Sequence, residues 1–345
     1  TAGGRLSYKS ISYDAGVSLN YILFNFGKRI ADTESARQEM IARNWSHNST
    51  VQDMILAVQQ AYYQYQNSKA MLKAGQAGLE EARRDLDAAG QRRAAGLATV
   101  ADVLQAKTRA SQAELTLQSV EGRIKALRGS LATAMGLPAD LEYDIDYLPE
   151  EIPADSVSVT VDRLIGAALN RSPDLAAARA QALKARAELA SERASRYPEI
   201  SLTGGAGRIY YNSRDRQGDT YNVSVGLSVP LFNGFRNENN ILEARANAEG
   251  AEEAARGLEQ RVVLDVWTSY YDLQTAARQL ATSRDLLASA GESHQVALER
   301  NRAGVGGVLE LLQSQSALED ARAQNIQART SWFISLARLA RDMGV

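Results

Sequence analysis

Two stretches of the chain alternate apolar and polar residues with a period of two. Residues 221–231, YNVSVGLSVPL, set Tyr221, Val223, Val225, Leu227, Val229 and Leu231 against Asn222, Ser224, Gly226 and Ser228. Residues 11–23 repeat the pattern, with Ile11, Tyr13, Ala15, Val17, Leu19, Tyr21 and Leu23 opposed to Ser12, Asp14, Gly16, Ser18 and Asn20. Such alternation predicts strands whose two faces meet different surroundings. A transmembrane barrel strand, with lipid outside and water inside, has this character and crosses a bilayer in about ten tilted residues. A strand of a soluble sandwich has the same period, so one strand alone leaves both open.

The two stretches belong to a tandem repeat. Tyr13 and Tyr221 stand 208 positions apart, and the same offset holds without a gap to the end of the chain. It pairs Leu23-Phe24-Asn25 with Leu231-Phe232-Asn233, Tyr62-Tyr63 with Tyr270-Tyr271, Gly96 with Gly304 and Met135-Gly136 with Met343-Gly344. A register kept this long marks a duplication. The second copy is preceded by a helical segment and by the strand PEISLTGGAGRIYY (residues 198–211), whereas the first has only TAGGRLSYKS. A helix and half a strand matching residues 161–202 are therefore expected upstream of Thr1. Residues 212–219, NSRDRQGD, are expected to form an exposed hairpin tip.

The period then changes. All six prolines lie at positions 138, 149, 153, 173, 198 and 230, leaving residues 26–137 and 234–344 free to form helical hairpins. The first arm, from residue 28 to about 93, would be roughly 100 Å long at 1.5 Å per residue. Lateral support comes at intervals of seven. Val58, Tyr65, Leu72, Leu79 and Leu86 form a large-residue row beside Ala61, Ser68, Gly75, Ala82 and Ala89; Val266, Leu273, Leu280, Leu287 and His294 repeat it beside Ser269, Ala276, Ser283, Ala290 and Ala297. The returning arms carry Val103, Ala110, Leu117, Ile124 and Leu131, then Leu311, Leu318, Asn325, Trp332 and Leu339. Large residues facing small ones at a 3.5 period predict close pairing in a left-handed supercoil. The hairpins turn at Gly96 and Gly304, and glycine caps are expected at Gly136 and Gly344.

The organisation expected is therefore a first repeat over residues 1–137, with strands in 1–24 and a hairpin over 26–137. An acidic linker over 138–159 follows, carrying Asp140, Glu142, Asp144, Asp146, Glu150 and Glu151 and expected to be solvated. The second repeat, 160–345, has a helix at 173–197, strands within 198–232 and a hairpin over 234–344. The fold class is mostly α with a transmembrane β part. Four strands cannot close a barrel, and open edges are not tolerated in hydrocarbon, so several copies must share one sheet.

Composition removes other classes. Of 345 residues, 45% are hydrophobic and 23% charged, enough for a core. Lys and Arg number 39 against 41 Asp and Glu, which gives no nucleic-acid footprint. No cysteine is present, excluding disulfides, thiolate metal sites and a cysteine nucleophile. No run of 18 apolar residues suggests a transmembrane helix. His47 and His294 are the two histidines, neither with a neighbouring ligand set, and His294 occupies a seam position filled by Leu86 in the first copy. Gly204-Gly205-Ala206-Gly207 lies in a strand without a following lysine or helix, so it is no phosphate loop; close backbone approach or a wall of small residues explains it better. No residue constellation supports an enzyme, and no cofactor or metal is expected.

The duplicated strand-and-hairpin plan, the Leu-Phe-Asn turn, the Tyr-Tyr pair and the tip running from Gly96-Leu97 to Asp102-Val103-Leu104 resemble the TolC family of outer-membrane efflux proteins, over essentially the whole chain. The resemblance implies a homotrimer in the outer membrane of a Gram-negative bacterium, with four strands per chain making a twelve-stranded barrel and a helical tunnel through the periplasm. It implies a passive exit duct of a tripartite efflux pump or type I secretion system, with a periplasmic adaptor and an inner-membrane transporter as partners. By position it places adaptor docking at Gly96, Leu97, Gly304 and Val305, and a periplasmic gate at Asp102 and Glu310. Asn301 stands where the family has a tyrosine and Gly306 where it has an arginine, so Arg300 or Arg302 would have to substitute. Carboxylates at Asp102 and Glu310 also suit a helix start, whatever their role. Ser12, Asp14, Gly16, Ser18, Asn20, Asn222, Ser224, Gly226 and Ser228 would face the lumen. A soluble periplasmic coiled-coil scaffold or adaptor is the competing reading, and the two alternating strands are what it fails to need.

Overall fold

A computed structural model describes residues 12–146, 160–211 and 217–345. The strand expected in residues 1–10, most of the 212–219 tip and the linker from 147 to 159 lie outside them. In chain order the elements are β1 (Ser12–Phe24), α1 (Lys28–Ala94), α2 (Val100–Ala134), α3 (Val161–Arg171), α4 (Pro173–Ala194), β2 (Glu199–Tyr211), β3 (Gln217–Ser228), α5 (Arg236–Arg302) and α6 (Val308–Asp342). The chain divides into two compact units, one reaching Ser46 and resuming over Asp174–Leu258, the other made of His47–Pro173 and Glu259–Val345.

In the first unit, β1, β2 and β3 form an antiparallel sheet in that order. Tyr13 pairs with Tyr210, Val17 with Ala206 and Tyr21 with Leu202. On the next ladder, Leu202 pairs with Val225, Gly204 with Val223 and Ala206 with Tyr221. Directly opposed residues share a face, so the register gathers most apolar residues of the three strands on one side. That side is open: Val17 is 79% exposed and Val223 81%. The expected tip is shorter than residues 212–219, because β3 already begins at Gln217. There Asp219 pairs across the ladder with Arg208 at 3.0 Å, an ion pair on the apolar side next to Tyr210. β3 stops at Ser228, two residues before Pro230, which has no N–H to give a ladder.

Both junctions from strand to long helix use two successive left-handed residues. They are Phe26 (φ 52°) with Gly27 (91°), and Gly234 (68°) with Phe235 (62°). The glycine stands second in one copy and first in the other. A bulky residue is rare in this region; aromatic packing surrounds it here, with Phe26 stacked on Tyr197 at 5.3 Å and edge-on to Phe24 at 4.7 Å. α4 ends at Ala194, short of the expected residue 197. It is tied to α1 through Glu39, which meets Lys184 at 3.0 Å and Arg43 at 2.7 Å. The Lys184 bond, then that of Arg43, holds the Glu39 carboxyl down to about 2.

The repeat is reproduced element by element: α1 and α5 each have 67 residues, α2 and α6 each 35. Every residue of the seven-spaced rows is buried or half-buried. Val266 and Leu280 are fully enclosed, while Ala82, Ser269 and Ala276 leave the room opposite. A 3.5-residue repeat drifts about 20° per heptad around a straight helix, so the buried stripe winds along α1 and α5. All four hairpin arms end in the same hydrogen-bonded turn. At Gly96 the Leu97 N–H donates to the Arg92 carbonyl at 2.8 Å and the Gly96 N–H to the Arg93 carbonyl at 2.9 Å; Gly136, Gly304 and Gly344 repeat it.

The described half of the linker is not merely solvated, as the run of acids suggested. Tyr143 and Ile145 pack on the cluster of Ala61, Tyr65 and Leu131. The Tyr143 hydroxyl donates to the Arg128 carbonyl at 2.6 Å, and Lys69 Nζ donates to Asp144 Oδ1 at 2.7 Å. The acids alternate with two apolar residues, and those turn inward.

Candidate functional site

The sheet supplies the first candidate surface. Ser12, Asp14, Gly16, Ser18 and Asn20 lie on the side opposite the apolar one, and the register adds Gly207, Gly205 and Thr203 of β2 beside them. Asn222, Ser224 and Gly226 of β3, opposite Gly205, Thr203 and Ser201, continue the same side; Ser228 closes its end opposite Glu199. Thr203 and Ser224 share a hydroxyl hydrogen bond of 2.6 Å. Gly16 and Gly207 face each other so closely that a Cβ on Gly207 would lie 3.1 Å from the Ala15 carbonyl oxygen and 3.3 Å from Gly16 Cα. Gly207 thus permits backbone approach, and Gly205 and Gly207 keep this wall low. Ile209, opposite Asp14, and Ile22, opposite Ser201, are apolar residues on this side.

The hairpin tips supply the second. Gly96 and Gly304 adopt φ of 74° and 75°, and the residues after them, Leu97 and Val305, are 72% and 71% exposed. Two equivalent apolar knobs are therefore presented at two equivalent turns.

The expected acids are held differently. Asp102 forms a capping box: its Oδ2 accepts from the Thr99 N–H at 2.7 Å and from the Thr99 hydroxyl at 2.8 Å, while the Asp102 N–H donates to Thr99 Oγ1 at 3.2 Å. Those bonds, led by the backbone one, lower the Asp102 carboxyl below its usual range. Glu310 lies 3.6 Å from Arg300, and Arg302 lies 3.2 Å from Glu299. Asp102 is brought to neither arginine. At Gly306 a Cβ would fall 3.0 Å from Arg300 Cβ and 3.1 Å from the Asn301 nitrogen, so the turn leaves little room for a side chain there.

A link across the tips falls outside the sequence expectations. Arg92 of α1 donates to Asn301 Oδ1 at 2.8 Å and to the Asn301 carbonyl at 3.4 Å, and Asn301 Nδ2 donates to the Gly306 carbonyl at 3.2 Å. Asn301 therefore still bonds across the hairpins, with an amide and an arginine from the other arm. Its departure from tyrosine was the available signal; the partner was not, because it lies 209 residues away.

Of the histidines, His47 is exposed and His294 is 6% exposed within the seam. Among the described residues no group of three or more His, Asp or Glu is placed to hold a metal ion. No described helix is long and apolar enough to cross a membrane, which says nothing of a barrel.

Residues 4–137 and 164–345 match the model of a family described as outer membrane efflux protein. The chain is 30% identical over 343 residues to the protein CyaE of Bordetella pertussis, covering 95% of this chain and 70% of that one. It is 28% identical over 356 residues to the outer membrane protein OprJ of Pseudomonas aeruginosa, covering all of this chain and 72% of that one. Among solved structures, the outer membrane protein VceC of Vibrio cholerae superposes with a TM-score of 0.81 at 19% identity, over 97% of this chain and 87% of that one.

Proposed function

The chain belongs to the outer membrane efflux protein family, and from that premise we propose that three copies pool their strands into one closed barrel in the outer membrane, with their hairpins forming a periplasmic tunnel. It is an outer-membrane exit duct, passive and not an enzyme; the soluble scaffold reading is set aside. The observation that carries the trimer is the sheet itself. Among the described residues β1 and β3 are the outer strands of the sheet, and one side is apolar and exposed, a state that hydrocarbon tolerates only if further strands complete the circle. Val17, Leu19, Val223 and Val225 then meet lipid, with Tyr13, Tyr210 and Tyr221 toward one rim. Ser12, Asp14, Gly16, Ser18, Asn20, Asn222, Ser224, Gly226 and Ser228 line water.

The tips dock a periplasmic adaptor through Leu97 and Val305, and through it an inner-membrane transporter that supplies the energy. Closure of the periplasmic end draws on the Arg92–Asn301 and Arg300–Glu310 links, with Asp102 serving mainly as a helix cap. Light scattering of the detergent-solubilised protein tests the assembly, and ion conductance in planar bilayers tests the duct. A detergent-dependent trimer that conducts supports the reading; a monomer that stays soluble without detergent sinks it.

A further inference from the structure

Among the described strands, the apolar side of the sheet carries two charged residues, Arg208 and Asp219, which stand in one row with Ala15. Their depth follows from the ladder. Arg208 is eight positions along β2 from Ile200, which pairs with Phe24 of β1 and Leu227 of β3. At about 3.3 Å per residue that is about 26 Å of strand, and a tilt of about 40° leaves about 20 Å along the membrane normal. Phe24 belongs to an aromatic cluster with Phe26 and Tyr197 at the end that leads into the helices. The row of Arg208 therefore lies near the opposite, outer edge of an apolar band about 25 Å tall. Tyr13 and Tyr210 form the next row outward, and tyrosine favours the headgroup level. Lipid phosphates stand at this depth, and a charge on the lipid side is tolerated there.

Arg208 is held from two directions. Asp219 lies 3.0 Å from its Nε, and the Tyr210 ring centroid lies 5.9 Å from its guanidinium carbon. Its terminal nitrogens make no hydrogen bond to a described residue, and Ala15, opposite on β1, is too short to cover them. The guanidinium thus keeps a fork that matches two phosphate oxygens, while Asp219 balances its charge when no phosphate is bound. An apolar groove leads away from it toward the middle of the band. On this side β2 contributes Ala206 and Gly204, whereas β1 contributes Val17 and Leu19 and β3 contributes Tyr221 and Val223, all four exposed. Strands lie about 4.8 Å apart, so these two ridges run about 10 Å from each other and leave room for one acyl chain between them. The floor is open: a Cβ on Gly204 would have the Asn222 carbonyl oxygen, at 3.9 Å, as its one neighbour within 4 Å.

We propose that Arg208 and the groove beneath it bind one phosphorylated lipid of the outer leaflet per chain. A headgroup phosphate takes the fork of Arg208, and one acyl chain lies over Ala206 and Gly204 between the ridges of β1 and β3. Charge selects the headgroup, and the groove selects a lipid over a free phosphate. The site rests on the barrel reading, which gives this side of the sheet its lipid and Arg208 its depth.

Native mass spectrometry of the full-length protein, titrated in detergent with bisphosphorylated lipid A, reads the occupancy. Arg208→Gln should weaken lipid binding by at least about tenfold, and Arg208→Lys, which keeps the charge and loses the fork, should recover part of that loss. Gly204→Leu, which fills the groove and leaves the guanidinium in place, should weaken binding by a similar factor. Inorganic phosphate at the lipid's concentration should not displace it. Wild-type affinity in either Arg208→Gln or Gly204→Leu, or displacement by inorganic phosphate alone, overturns the site. Light scattering and bilayer conductance on the same samples keep the two proposals apart. A conducting trimer whose lipid binding ignores both substitutions keeps the duct and removes the lipid site. A trimer that binds lipid through Arg208 and Gly204 yet never conducts supports the site and removes the duct.

Discussion

The guanidinium of Arg92 donates to the side-chain oxygen of Asn301 at 2.8 Å, tying the last turn of α1 to the last turn of α5. Either hairpin could swing from the other only by breaking this bond. Arg92→Ala should therefore raise the single-channel conductance several-fold, and Asn301→Ala should do the same. The double variant should add little to either, since both remove one link. Wild-type conductance in all three would take the link out of any closure.

Asp102 behaves as a cap. Asp102→Ala should loosen the start of α2, seen as faster amide exchange in its first turn, with conductance within the wild-type range. Glu310→Ala, which frees Arg300, should change conductance instead. A large conductance effect of Asp102→Ala would restore that residue to the gate.

The two sides of the sheet predict opposite outcomes for the same kind of change. Val223→Arg puts a charge on the apolar side and should cost about 2–4 kcal/mol of barrel stability if it sits near mid-bilayer, measured by urea titration in detergent or lipid. Asn20→Lys, on the polar side, should leave the unfolding midpoint in place and shift ion selectivity toward anions.

Two neighbouring glycines should differ sharply. A Cβ on Gly205 would meet only the movable Asn222 amide, at 2.5 Å from its oxygen, whereas one on Gly207 would meet the backbone of Ala15 and Gly16. Gly205→Ala should be mild. Gly207→Ala should cost about 1–3 kcal/mol and lower the yield of folded protein.

The linker contact predicts a pH response. Lys69, followed by the Ile145 N–H, holds the Asp144 carboxyl below its usual range. Its contribution is present above the unfolded carboxylate value of about 3.9 and fades as pH falls through the lower folded value. Asp144→Asn should speed cleavage after Glu142 by a glutamate-specific protease at neutral pH and flatten the acid dependence seen in wild type.

Much of this architecture was legible because it rests on periodicity. Tyr65, Leu79, Ala82, Leu280 and Ala290 are buried where a seven-residue spacing puts them, and a proline-free run with glycine at its end bounds each hairpin arm. Side-chain partners were not legible in the same way. Tyr143 and Ile145 look like isolated apolar residues in an acidic run until a helix arrives beneath them. Arg208 and Asp219 seemed to belong to a strand and to a loop, and only the ladder register puts them opposite one another. Asp102 and Glu310 occupy matching places in the repeat, yet a threonine three residues earlier captures the first while an arginine of the neighbouring arm meets the second.

The equal arms, 67 and 35 residues in both copies, make the pair of hairpins a ruler with two matched scales. A deletion in one copy alone would stagger Leu97 against Val305 and present an adaptor with uneven pegs. A deletion that is not close to a whole number of helical turns would rotate the remaining stripe off the seam. Lengthening or shortening such a duct to suit a different periplasm is therefore open to evolution, or to a designer, in steps that keep the stripe in phase, such as whole heptads, made in both arms of both copies at once.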